Sequence, residues 1–180
     1  MKLDNNFKCF KLVGVDTNSK KQKNHKLDIQ IRPFKLTDID RICNIEERSF
    51  PLPWATSDFM YTYERDPDAF LVVVSNGQVL GYVVAEIITS LGFRNFRSKR
   101  RGHLLNLAID PEFRRKGIGT ALAKTMLGYL KNKGCEIVWL EVRRSNSIAR
   151  SFYSKLGFLE NGIKFRYYFN EDAIIMTKEF

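Results

Sequence analysis

The chain has 180 residues, 44% hydrophobic and 28% charged, proportions that suit one globular domain and exclude a disordered or fibrous chain. Its formal net charge of +10 points to an anionic partner, anywhere from a phosphorylated cofactor to ribosomal RNA, without choosing among them. Cys9, Cys43 and Cys135 have neither disulfide-framework nor zinc-ligand spacing, and no stretch nears the ~18 apolar residues of a membrane span, so a cytoplasmic protein without metal or membrane contact is expected.

In chain order, "NSKKQKNHK" (Asn18 to Lys26) is polar and lysine-rich. Residues 1–26 therefore read as a flexible basic extension, and 27–180 as the domain. "LDIQIRPF" alternates Leu27, Ile29 and Ile31 with polar neighbours, the period of a half-buried strand. "LTDIDRICNIEERSF" predicts a helix capped by Thr37 or Asp38, with Ile39, Ile42, Cys43 and Ile45 as its apolar stripe. "PLPW" stops it, because proline offers no amide donor, and "TSDFMYTYE" predicts a second short helix. "AFLVVVS" and "QVLGYVVAEIITS" are strands joined by Asn76-Gly77, a strong hairpin signal.

The basic segment "RNFRSKRR" (Arg94 to Arg101) leads to the strand "GHLLNLAID" and reads as a solvated loop, with contact to a ribosome, to an acidic substrate or to a cofactor's ribose phosphate as the alternatives. A helix from Thr120 to Lys133 follows, with Gly134 placed as its C-terminal cap. "CEIVWLEV" is a nearly continuous apolar strand. "NSIARSFYSKLGF" is a helix with Ile148, Ala149, Phe152, Tyr153 and Leu156 on one side, and the tail reads as strand, turn, strand. The order β-α-α-β-β-β-α-β-α-β-β predicts a mixed α/β fold, with helices flanking a mostly antiparallel sheet.

Chemistry concentrates at two strand-to-helix joins. "FRRKGIG" (Phe113 to Gly119) places Arg114, Arg115 and Lys116 beside Gly117 and Gly119 at a helix start. There the first amides lack intrahelical partners and the helix dipole favours an anion. A pyrophosphate cradle and a merely basic helix start both fit this spacing; a P-loop and a dinucleotide fingerprint do not. At the second join, Glu141 shares parity with Ile137 and Trp139 in an apolar strand, so it is either paired, with Arg143 for example, or functional. Tyr153, on an apolar helix side, is either a core phenol or a proton donor. Asn146 between them suits a helix cap. His103 shares parity with Leu105, Leu107 and Ile109, and Glu46 and Glu47 end the first helix.

"LAIDPEFRRKGIGTAL" with "WLEVRRSNSIARSFYSKLGF" resembles the acetyl-CoA signature of the GNAT N-acetyltransferase superfamily. Arg114, Gly117 and Gly119 match its R/Q-x-x-G-x-G/A motif. The similarity runs from about Ile29 to Phe180, and within the superfamily it leans toward the ribosomal-protein-alanine and archaeal N-terminal protein acetyltransferases. The resemblance implies a GNAT-type central sheet and acetyl-CoA as co-substrate. It implies that the amides from Arg115 to Thr120, including those of Lys116 and Ile118, cradle the pyrophosphate. Leu107, Ala108 and Ile109 would pair with the pantetheine arm as an added strand does, and Asn146 would touch the cofactor.

By the same resemblance Glu141 is the general base, directly or through water, Tyr153 the general acid, and His103 a secondary proton relay. Phe50, Pro51 and Leu52 form an apolar wall for a first side chain such as Met, although the catalytic block leans toward small first residues. Tyr167 and Tyr168 would, by that resemblance, bond the peptide backbone, ordinary packing under a loop being the other reading for both stretches, while Glu46 and Glu47 lie at the substrate mouth or on a solvated face. The implied activity is acetyl transfer to protein N-termini, with ribosomes or ribosomal proteins as partners. An acetyltransferase acting on lysine or a small amine, and a non-catalytic ribosome- or RNA-binding protein, are the alternatives.

Overall fold

The computed structural model describes residues 27–91 and 98–180. The lysine-rich stretch Asn18 to Lys26, Cys9, and Arg94, Phe96 and Arg97 of the second basic cluster lie outside the described residues. Eleven strands and helices follow in the predicted order. They are β1 (Gln30–Pro33), α1 (Ile39–Glu47), α2 (Thr56–Arg65), β2 (Phe70–Ser75), β3 (Gln78–Leu91), β4 (Ser98–Ile109), α3 (Ile118–Asn132), β5 (Cys135–Arg143), α4 (Ser147–Lys155), β6 (Leu159–Tyr168) and β7 (Glu171–Glu179). One sheet runs in the order β1-β2-β3-β4-β5-β7-β6. Every neighbour pair is antiparallel except β4 and β5, which are parallel.

Local chemistry accounts for the joins. Asn76 and Gly77 both take positive φ, +48° and +78°, the turn that matches the twist of a two-residue hairpin. Apolar residues split between the two faces of the sheet. Leu122, Met126 and Leu130 of α3 pack on Leu104, Val138 and Leu140, while Ile42, Ile45 and Phe59 of α1 and α2 pack on Phe70, Tyr82 and Val84.

Four expectations change. Lys99, Arg100 and Arg101 belong to β4 rather than to a loop, because β3 is long enough to pair with them. Asp38 precedes α1 but does not cap it with its side chain. Its carboxylate instead pairs with Arg32 at 2.6 Å and accepts the Lys35 amide at 2.9 Å, closing a preceding single 3-10 turn. Ile148 is 75% exposed, since the short α4 presents only Ala149, Tyr153 and Leu156 to the core. The parity drawn from His103 to Ile109 breaks at a bulge: Val84 pairs with Asn106 and Ala85 with Leu104, leaving Leu105 extra. Leu105 therefore packs on the α1–α2 side, and Leu107 and Ile109 on the α3 side.

Candidate active site

β4 and β5 pair only from Arg100/Cys135 to His103/Trp139. Beyond that point β4 keeps β3 on one edge and β5 keeps β7. Among the described residues no strand covers the other edge of β4 from Leu104 to Ile109, so the sheet splits there. The predicted anion turn stands at the mouth of this split. Arg115 and Gly117 hold φ of +63° and +78°, which turns the chain sharply before α3, and the amides of Ile118, Gly119 and Thr120 have no helical carbonyl behind them. A Cβ on Gly119 would lie 3.4 Å from Ile109 and 3.8 Å from Phe152, so the helix start sits directly against the end of β4 and the Phe152 ring of α4.

The three cations of the turn part company. Arg114 is exposed but tethered, donating from Nε to the Ile109 carbonyl and from Nη2 to Ser49 Oγ, each at 2.8 Å; it ties the α1–α2 loop to β4. Arg115 and Lys116 are exposed. Asn146 caps α4, its Oδ1 accepting the Ala149 amide at 3.0 Å.

On the α1–α2 face, at the apex of the split, His103 is held from three sides. Its Nε2 lies 2.6 Å from Glu141 Oε2 and its Nδ1 lies 3.2 Å from Glu86 Oε1. Its ring stacks on Trp139 at 4.4 Å and 11°. Lys164 Nζ is 3.6 Å from the other Glu141 oxygen and 4.1 Å from the centre of the Tyr167 ring. Burial alone would push the Glu141 carboxyl up, but the His103 hydrogen bond and charge, with those of Lys164, hold it below the usual range. Glu141 is thus paired, though with His103 and Lys164; Arg143 instead pairs with Glu171 at 3.4 Å and lies over Tyr168.

Tyr168 donates to the Glu141 backbone carbonyl at 3.1 Å. Burial, then Tyr167 and Glu141, push its phenol up to about 12. Tyr153 packs edge-on against Phe152 and Phe158; burial first, and the Tyr168 phenol second, raise its pKa well above the ordinary value. Glu141, His103 and Tyr168 thus form one bonded network, bordered by Tyr153. Phe50, Pro51 and Leu52 stand apart on the α1–α2 loop, Phe50 against the core and Leu52 68% exposed. Glu46 supports that loop and is no solvated face: at 1% exposure it accepts the Trp54 amide at 3.0 Å, the Asn106 side-chain amide at 3.1 Å and the Tyr82 hydroxyl. An open cavity of about 490 Å³, walled by Trp54, Tyr61, Arg65, Glu86 and Leu105 among others, adjoins the network.

Residues 39–158 match the acetyltransferase (GNAT) family. The chain belongs to the GNAT family. An N-alpha-acetyltransferase of Sulfurisphaera tokodaii is 35% identical over 156 residues, which cover 83% of this chain and 92% of that one. The [ribosomal protein bS18]-alanine N-acetyltransferase of Escherichia coli is 30% identical over 151 residues, covering 82% and 95%. Among solved structures, Ard1 from Thermoplasma volcanium superposes with a TM-score of 0.76 at 28% identity, covering 84% of this chain and 97% of that one.

As a GNAT enzyme the protein is an N-acetyltransferase with acetyl-CoA as its donor. The residues present fit that donor: a bare strand edge on β4 suits the amides of a pantetheine arm, and a helix start with free amides and exposed cations suits a pyrophosphate. Among the described residues no group of three or more His, Cys, Asp or Glu side chains is placed to hold a metal ion, and no helix is long and apolar enough to cross a membrane. Glu86 and Lys164 escaped the sequence reading. Glu86 had a signal, a carboxylate inside the apolar run "VVAEIITS"; Lys164 had none, because its place depends on how β6 folds back along β7.

Proposed function

We propose that the protein acetylates the free α-amine of protein N-termini. The observation that carries this reading is the Glu141–His103 pair, a carboxylate and an imidazole 2.6 Å apart at the apex of the split. An α-amine with pKa near 8 is roughly 10% neutral at pH 7, whereas a lysine near 10.4 is neutral to only about 0.04%. An α-amine therefore asks less of this pair than a lysine does. The named activities of the bacterial and archaeal relatives point the same way.

Acetyl-CoA supplies an activated acetyl thioester. The chain supplies the rest. The α3 start and the exposed β4 edge hold the donor, with Leu107, Ala108 and Ile109 along that edge. Glu141 and His103 accept the proton that the amine loses, directly or through one water. Tyr153, kept protonated by its raised pKa, presents a hydrogen to the departing sulfur. Tyr167 and Tyr168 flank the peptide on one side, and Phe50, Pro51 and Leu52 on the other. The net charge of +10 and the ribosomal substrate in one relative's name support ribosomal proteins or the ribosome as partners, in the cytoplasm.

The test is acetyl-CoA turnover on short peptides varied at their first two residues, each beside an Nα-blocked copy carrying an internal lysine. Turnover confined to free N-termini is expected, and a preference for Met over Ala or Ser would assign the pocket to Phe50, Pro51 and Leu52. Turnover of the blocked copies alone would overturn the reading in favour of a lysine acetyltransferase.

A further inference from the structure

We infer that Glu86 is a positioning residue of this site, supplying the acceptor that holds a proton on His103 Nδ1 and leaves Nε2 able to take one from the side of Glu141. The inference rests on the proposed role of the His103–Glu141 pair and adds a residue to it.

Three strands fix the ring. Glu86 of β3 and Trp139 of β5 are the direct cross-strand partners of His103 in β4. One sets the Nδ1 contact at 3.2 Å and the other the plane of the ring. Glu141, two residues beyond Trp139, closes on Nε2 at 2.6 Å. An imidazole between two carboxylates donates to both only while doubly protonated, and the neutral ring has one proton for two acceptors. If that proton sits on Nε2, it is already bonded to Glu141 and the ring takes nothing from that side. If it sits on Nδ1, Nε2 is open to a proton, and once the ring has taken one the 2.6 Å contact closes as an Nε2–H bond to Glu141. Glu86 is the group within reach of Nδ1, and it acts as the carboxylate of a catalytic triad acts on its imidazole, fixing orientation and tautomer without taking the proton itself.

A purely structural role for Glu86 would be an ion pair with Arg65. That contact is long, 3.8 Å, and the Arg65 guanidinium is engaged by the Tyr61 hydroxyl at 2.8 Å, so the imidazole is the nearer partner. Other charges reach the ring only through its neighbours: Lys164 through Glu141, and Arg101 through Trp139, whose ring centre lies 5.5 Å from the guanidinium.

Glu86→Gln tests this, since it keeps the shape, removes the charge and lets an amide N–H donate to Nδ1. In a His25→Gln background, which leaves one of the two histidines of the chain, ¹⁵N spectra of the labelled ring report its tautomer. The share of neutral ring carrying its proton on Nδ1 is expected to fall in Glu86→Gln and to recover in Glu86→Asp. In step with it kcat should drop about 10- to 100-fold, up to the low end of the roughly 100- to 10,000-fold that general acid–base catalysis contributes, with KM for peptide and for acetyl-CoA within about twofold. An unchanged tautomer, or a changed tautomer with unchanged kcat, overturns the inference. The spectra do not depend on which amine is the substrate, so a wrong substrate assignment and a wrong role for Glu86 give different results.

Discussion

A carboxylate buried among three donors stays buried only because it accepts from all of them. Glu46 does so, and two of its donors, the Trp54 amide and the Asn106 side chain, belong to the α1–α2 loop and to β4. The third, the Tyr82 phenol, is held protonated by burial first and by Glu46 second, far above its ordinary pKa. Glu46→Ala strands all three donors, at about 1–3 kcal/mol each for an unsatisfied group. A loss of at least about 3 kcal/mol is expected, read as a Tm lowered by roughly 6–12 °C. Residual activity should show a raised KM for peptide and an unchanged KM for acetyl-CoA, because the loop released is the one carrying Phe50, Pro51 and Leu52. The tyrosines give a pH prediction. Raised pKa values favour the protonated phenol in the folded protein, so the donor is present at neutral pH and is lost only as pH rises through those values, about 12 for Tyr168 and also raised for Tyr153. Glu141 has the opposite sign: its carboxylate stabilises the fold above the ordinary pKa of about 4.3, and that contribution fades as pH falls through its lowered value. The profile of kcat/KM should therefore rise as the substrate amine deprotonates near pH 8 and stay level to about pH 10. Tyr153→Phe should keep its ring packing and lose about 100-fold in kcat; a loss under threefold would remove Tyr153 from the proton path.

The elements themselves were legible, because period-two and period-3.6 patterns, Asn76-Gly77 and Gly134 mark strands, helices and ends with residue types whose physics is local. What could not be read depends on neighbours far along the chain. The bulge at Leu105 carries no residue signature: it comes from fitting β4 between β3 and β5, and it decides that His103 and Ile109 face different sides. The exchange of partners at Asp38, and the bond of Arg114 to Ser49, are likewise tertiary events. Glu141 and Tyr153 could be singled out because a lone carboxylate and a phenol interrupt apolar stripes, yet whether they meet His103 was beyond the sequence. The sharp turn before α3 was legible through its glycines, and its proposed hold on the donor gives an element-level prediction. Gly117 sits at φ +78°, where a side chain costs about 1–2 kcal/mol, and its neighbours form the first turn of α3. Gly117→Ala should lower stability by about that amount and raise KM for acetyl-CoA while leaving KM for peptide unchanged. An equal rise in both would mean that the turn supports the fold at large and not the donor.

At the scale of the molecule, charge and core are divided differently along the chain. Residues 1–26 hold seven lysines and two aspartates, half of the total surplus, whereas the buried core of the described residues begins at Ile29 and Ile31. If the domain is 27–180, the catalytic apparatus and the electrostatic reach of the protein are separable. Deleting residues 1–26 is then expected to leave Tm within about 2 °C and kcat on short peptides within about twofold, since no group placed in the site is removed. Association with ribosomes should respond differently. Each lysine that neutralises a phosphate releases a counterion, and removing it lowers the salt slope of binding by about one. The shortened chain should bind ribosomes more weakly at low salt, with a slope reduced by several units, while the two chains converge at high salt where the Debye length falls to about 3 Å. Cosedimentation across a salt series measures both quantities on the same samples. Equal slopes for the two chains would assign the attraction to the folded domain, where Lys99, Arg100 and Arg101 stand in succession at the start of β4.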